Sequence, residues 1–135
     1  MTDSSTLSVD LPRATGRRCW AIAEGYLPGW SHGPEPELAS HETLCVLNTG
    51  AAAADIALWL YFTDREPAGP YRFSVAARRT LHLRLGELSD PEPAPRETDF
   101  ACLIQATHPI VVQHTRLDSR QAELGLLSTI AWSGD

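Results

Sequence analysis

The chain has 135 residues, of which 43% are apolar, so it is long enough for one globular domain with a hydrophobic core. Its formal net charge of −6 argues against general nucleic-acid binding, because contacts to phosphate need clustered basic side chains. Its apolar runs are far shorter than the ~20 residues of a membrane-spanning helix. Three widely spaced cysteines, with no Cys-x-x-Cys pair and no apolar N-terminal run, predict a cytoplasmic protein.

Ten prolines and nine glycines favour short strands joined by turns. The first segment, Met1 to Gly16, is rich in Ser, Thr and Asp and is expected to be a flexible tail, with the domain spanning residues 17–135. Apolar and alternating runs then predict eight strands: Arg17 to Glu24, His41 to Asn48, Asp55 to Phe62, Tyr71 to Val75, Thr80 to Leu85, Phe100 to Ala106, one that begins at Pro109, and Ser128 to Trp132. This pattern predicts an all-β, single-domain β-sandwich of the jelly-roll type.

The connections between these strands carry further signals. Two long proline-rich loops are predicted, over Gly25 to Ser40 and Ser89 to Asp99, and long loops in compact domains are often functional. The short link Thr107-His108 predicts a hairpin between the strands on either side of it. Beyond them, Asp118 is a candidate N-cap for a short helix over Ser119 to Leu124.

The strand that begins at Pro109 changes character along its length. Its first half is β-branched and apolar, whereas polar residues follow: Gln113, His114, Thr115, Arg116, Asp118, Ser119 and Arg120. Each unpaired buried polar group costs ~1–3 kcal/mol, so a strand buried on both faces would not tolerate them. We therefore expect this end to emerge at a surface, a cleft or a subunit interface.

The sequence gives little support for a catalytic site or a metal-binding site. A metal site would need His41, His82, His114 and Glu24 to meet, but no two histidines have ligand spacing, so we expect no metal and no cofactor. Ser119, His114 and Asp118 could form a hydrolytic triad, but no nucleophile-elbow motif accompanies them. We predict that the protein is not an enzyme.

Two binding arrangements remain open. Trp20, Tyr26 and Trp30 could form an aromatic platform for a sugar ring, or they could pack in a core or an interface. The charged set Arg116, Asp118, Arg120 and Glu123 could be an ion-paired loop that holds its own shape, or a recognition surface suited to the planar arginine fork. Spacing alone does not decide between these readings.

Long blocks of the chain resemble the family of the cyanobacterial sensory rhodopsin transducer. The resemblance covers roughly Gly16 to Trp132 and rests on these segments: Cys19 to Tyr26, Gly33 to Pro36, Ser40 to Thr43, Asp64 to Arg72, Ala77 to Thr80, Thr98 to Ala101, Pro109 to Glu123 and Leu126 to Ala131. The block Pro-Ile-Val-Val-Gln-His-Thr-Arg-Leu-Asp-Ser-Arg-Gln-Ala-Glu carries the strongest similarity.

The resemblance implies a cytoplasmic β-sandwich that assembles as a planar homotetramer and docks on a seven-helix retinal photoreceptor, whose light signal it relays. The resemblance also implies possible binding of sugar-like ligands and of DNA, although the negative net charge of this chain does not support DNA binding. Our leading hypothesis is a signalling protein that binds a membrane receptor, and the alternative is a carbohydrate-like binding module. The candidate partner- or ligand-binding residues are Glu24, Tyr26, Trp30, His41, Gln113, His114, Arg116, Asp118 and Arg120.

Overall fold

The computed structural model describes residues 10–35 and 39–134. These residues form eight strands: β1 (Arg17–Tyr26), β2 (His41–Asn48), β3 (Ala54–Phe62), β4 (Ala68–Val75), β5 (Arg79–Arg84), β6 (Asp99–Asp118), β7 (Gly125–Ile130) and β8 (Trp132–Ser133). A single turn of 3-10 helix, Leu85–Glu87, is the only helical element in this part of the chain. None of the described residues belongs to a helix long and apolar enough to cross a membrane. The first nine residues of the predicted tail, and residues 36–38 of the predicted first loop, lie outside the described part.

The strands form two antiparallel sheets that share β6. The first sheet has the order β4-β3-β6-β1-β8, and in the second β2 lies between β5 and β6, with β7 on the other side of β6. Side chains of alternate residues from both sheets meet in one core, including Leu44 and Val46 of β2 and Ile56, Leu58 and Ile104 of the first sheet. The predicted all-β sandwich is confirmed.

Strand β6 is 20 residues long and corrects one prediction. Its first part, from Phe100 to Ala106, pairs with β1 and β3, whereas Val111 to Asp118 pairs with β2 and β7. The predicted hairpin across Thr107-His108 is therefore wrong: the two halves bond to different neighbours in different sheets. Thr107 to Pro109 have no paired residue in the registers of β6 with β1, β2 and β3. Pro109, which has no N–H group, is tolerated there because no ladder hydrogen bond is needed from it.

The predicted helix over Ser119 to Leu124 is also wrong, because this segment is the loop between β6 and β7. Asp118 pairs with Gly125 and closes the β6–β7 hairpin directly. The backbone of Ser119 bonds to the β1–β2 connection instead of to a helical turn: its N–H donates to Ser40 Oγ at 2.9 Å, and its carbonyl accepts from His32 N at 2.6 Å.

The strand directions give the sandwich two unlike ends. The long connections, residues 27–40, 63–67, 85–98 and 119–124, lie at one end, which we call the loop end. The tight connections 49–53 and 76–78 lie at the opposite end, which we call the turn end, together with the bend of β6. Asn48 joins the two tight connections, since its side-chain amide donates to Ala52 O at 2.9 Å and to Ala76 O at 3.2 Å. Both predicted long loops therefore lie at the same end.

Candidate functional site

A buried carboxylate, that of Glu42, is the centre of the polar interior near the loop end. Glu42 is fully buried, and three groups from other strands contact it. The backbone N–H of Tyr26 donates to Oε2, His114 Nε2 contacts Oε1, and an Arg116 terminal nitrogen donates to Oε2 at 3.3 Å. A buried charge is stable only when it is paired in this way. We call Glu42, His114, Arg116 and the Tyr26 amide the Glu42 cluster.

Strand register assembles this cluster. Glu42 lies opposite Arg116, and Leu44 lies opposite His114, so all four side chains alternate onto the inner face of the second sheet. The last residue of β1, Tyr26, brings its N–H across from the other sheet. The cluster therefore joins β1, β2 and β6 where the two sheets approach the loop end.

A cleft of about 290 Å³ lies between the open edges of the two sheets, β7 on one side and β1 with β8 on the other. His114 and Arg116 line its inner part, so the cleft borders the Glu42 cluster. Its walls are mostly apolar and include Leu127 and Trp132. At its opening, Glu24 is 84% exposed and lies 3.5 Å from an Arg116 terminal nitrogen. We call this space the intersheet cleft.

A second polar arrangement lies on the surface of the loop end. Arg120 donates to Asp118 at 2.6 Å, and its guanidinium lies 5.6 Å from the centre of the Tyr26 ring. The hydrogen bonds from Arg120 hold the pKa of the Asp118 carboxyl below its usual value. Asp118 also accepts the backbone N–H of Arg120 at 3.1 Å, so the pair fixes the guanidinium locally.

A pocket of about 320 Å³ opens beside the β1–β2 connection, and we call it the loop pocket. It is lined by Trp30, His41 and Arg96, among others. Trp30 is 55% exposed and meets His32 edge to face at 5.4 Å. Hydrogen bonds position two of the lining groups: His41 Nδ1 bonds to Ala39 O at 2.7 Å, and Arg96 donates to Pro28 O at 3.0 Å.

The structure distributes the nine predicted site residues over three places and a sheet face. Glu24, His114 and Arg116 meet at the intersheet cleft; Tyr26, Asp118 and Arg120 meet on the loop end; Trp30 and His41 line the loop pocket. Gln113 is apart from all of them, on the outer face of the second sheet, where it donates to Ser128 Oγ at 2.9 Å. The polar end of the Pro109 strand thus divides by alternation, with Gln113 and Thr115 outward and His114 and Arg116 inward.

Several arrangements considered from the sequence do not form. Trp20 is a core residue whose indole N–H donates to Ile110 O at 3.1 Å, so it cannot share an exposed platform with Trp30. His114 bonds to Glu42, and Asp118 bonds to Arg120, so neither completes a triad with Ser119. Across residues 10–35 and 39–134, no three side chains of the metal-binding types come together.

Glu42 is the functional candidate that sequence reasoning missed. A signal for it exists in the run His-Glu-Thr-Leu-Cys-Val, because Glu42 has the same strand parity as Leu44 and Val46. Strand alternation predicts that all three face inward. An acidic residue on an inward-facing position indicates a buried charge with partners elsewhere in the chain.

The fold and these sites define a small all-β sandwich with an intersheet cleft, a loop pocket and a loop-rich end. Residues 15–133 match the family model of the Anabaena sensory rhodopsin transducer. The solved structure of the Anabaena sensory rhodopsin transducer is 55% identical over 77% of this chain and 100% of that chain, with a TM-score of 0.71. The crystal structure of Thermotoga maritima 1070 is 31% identical over 88% of this chain and 96% of that chain, with a TM-score of 0.79. A search of curated proteins found no match. The chain belongs to the sensory rhodopsin transducer family.

Proposed function

We propose that this protein is a non-enzymatic, cytoplasmic signalling protein that binds the cytoplasmic face of a seven-helix retinal photoreceptor and relays its signal. The observation that carries the proposal is the family match over residues 15–133. The 55% identical relative is named as a transducer for Anabaena sensory rhodopsin, which supports a transducer-like role for this chain.

The charge of the loop end supports it as the docking surface. In the described residues, its connections contain more carboxylates than guanidiniums: Glu35, Asp64, Glu66, Glu87, Asp90, Glu92, Glu97 and Glu123 against Arg65, Arg96 and Arg120. Cytoplasmic loops of membrane proteins are enriched in Lys and Arg. Complementary charge of this kind steers association and fixes orientation.

The experiment that tests the proposal is a titration of this protein against a purified photoreceptor in lipid nanodiscs. Anabaena sensory rhodopsin is the first probe, because the 55% identical relative carries its name. We expect saturable binding that weakens as salt is added, since the docking surface is charged. Empty nanodiscs are the control. Equal binding to nanodiscs with and without the receptor would contradict the proposal.

We propose that the protein acts as a homotetramer. Three exposed apolar side chains on the outer face of the second sheet support a contact between copies: Leu47, Leu126 and Ile130, of which Leu126 is 71% exposed. Light scattering on a size-exclusion column should give four times the chain mass of 14.8 kDa. Leu126→Ser should shift the mass downward if this face holds the copies together. A stable monomer at micromolar concentration would argue against a tetramer.

A second candidate function is binding of a sugar-like ligand in the loop pocket. The observation that favours it is Trp30, whose exposed indole borders a pocket that also contains His41 and Arg96. Sugar rings stack on such indoles while neighbouring polar groups bond their hydroxyls. A change of indole fluorescence on addition of sugars, present in the native protein and lost in Trp30→Ala, tests this candidate.

A further inference from the structure

The guanidinium of Arg116 has more hydrogen-bonding capacity than its neighbours use. One terminal nitrogen donates to Glu42 at 3.3 Å, and the other lies 3.5 Å from Glu24, beyond the usual 2.7–3.2 Å of an N–H···O bond. The Nε atom is buried and has no hydrogen-bond partner. Because Nε is enclosed by the protein, only the terminal nitrogens, with their long contacts, are available to a group bound beside Arg116.

The space beside the Arg116 guanidinium is the intersheet cleft, and its walls are mostly apolar. Leu127 and Trp132 border it and remain about half exposed or more, at 47% and 68%. Thr129 adds a hydroxyl on the β7 side of the cleft, beside Leu127, and this hydroxyl donates to Ile130 O at 3.3 Å. A cation at the inner part and apolar walls toward the opening suit a ligand with an anionic head and an apolar body.

We propose that the intersheet cleft binds a small monocarboxylate with an apolar body, such as an aryl-substituted short-chain acid. The ligand carboxylate takes the place of the Glu24 carboxylate at Arg116, where the planar fork of the guanidinium matches it. The apolar body lies between Trp132 and Leu127. This site is separate from the loop pocket and from the loop end, and the inference goes beyond the receptor-binding function.

The charges around the cleft limit the ligand class. Arg116 is flanked by the carboxylates of Glu24 and Glu42, so a doubly charged phosphate would meet two like charges there. A sugar would leave several hydroxyls against apolar walls without partners, which is unfavourable. A ligand with a single carboxylate replaces the negative charge of Glu24 beside Arg116 with an equal charge, and it leaves the Glu42 cluster intact.

Isothermal titration of the full chain with 3-phenylpropionate tests the proposal. The matched probes are 3-phenylpropanamide, which keeps the apolar body without the charge, and glucose. We expect saturable binding of the carboxylate, at least several-fold tighter than the amide, and any binding of glucose should be the same in Trp132→Ala as in the native protein. Trp132→Ala should weaken both aryl probes, because the indole contacts the apolar body.

Glu24→Gln is the decisive variant, since it removes the carboxylate that competes for Arg116. It should tighten binding of 3-phenylpropionate several-fold and leave binding of the amide unchanged. Glu24 is 84% exposed, so the variant should melt at the temperature of the native protein. Absence of saturable binding in both native protein and Glu24→Gln, or weaker carboxylate binding in the variant, would overturn the proposal. Photoreceptor binding is measured separately and does not depend on the result.

Discussion

Glu42→Ala should lower the free energy of unfolding by roughly 3–5 kcal/mol, the range expected when one partner of a buried ion pair is removed. Glu42 is fully buried, and its loss would leave Arg116, His114 and the Tyr26 amide without their shared acceptor. Urea unfolding followed by tryptophan fluorescence, at equal protein concentration for all variants, measures the difference.

Two conservative variants separate charge from packing in this test. Glu42→Gln keeps an acceptor for the Tyr26 amide but removes the charge that faces Arg116, so its loss of stability should lie between those of the native protein and Glu42→Ala. Glu24→Gln removes an exposed carboxylate beside the same arginine and should change stability by no more than ~0.5 kcal/mol. If Glu42→Ala were as stable as Glu24→Gln, the Glu42 cluster would not hold β1, β2 and β6 together.

Arg120→Ala should weaken binding to the photoreceptor by roughly tenfold or more although it makes the loop end more acidic, because the short-range contacts of an arginine that is desolvated on docking often dominate interface energies. Its guanidinium is positioned on the loop end by Asp118 and lies against the Tyr26 ring. The melting temperature should barely change, since Arg120 is a surface residue. The nanodisc titration and a thermal melt of the same sample give both quantities.

Three control variants show whether the effect of Arg120→Ala on binding is specific to the loop end. Arg79→Ala removes an exposed arginine at the turn end and should leave receptor binding unchanged. Asp118→Asn frees Arg120 from its ion pair, so an intermediate effect would show that fixing the guanidinium contributes to binding. Arg116→Ala should reduce both stability and binding, because Arg116 is mostly buried against Glu42. Equal affinity for Arg120→Ala, Arg116→Ala and the native protein would place the docking contacts away from Arg120, in the β1–β2 connection of the loop end first.

The local pattern of apolar residues was sufficient to predict the positions of most strands. The bounds predicted for β2, His41 to Asn48, are those of the structure, and β3 differs by one residue. β3 alternates, with Ile56, Leu58 and Leu60 on one face, whereas β2 has a compact apolar run, Leu44 to Leu47, that ends at Asn48. Both signals depend only on neighbouring residues. The helix predicted after Asp118 failed because a capping residue is also a good turn residue, and pairing of Asp118 with Gly125 decided between the two.

The sequence by itself determined the fold class and most strand positions. Only the tertiary structure showed that β6 serves both sheets, that the two long loops share one end, and that Glu42 meets His114 across 72 residues of chain. The physical reason is that alternation is a local property, with a period of two residues, whereas strand order and register follow from which distant strands bury their apolar faces together. Alternation alone indicates that Glu42 faces inward, but its partners belong to that second kind of information, because only the register sets His114 and Arg116 beside it.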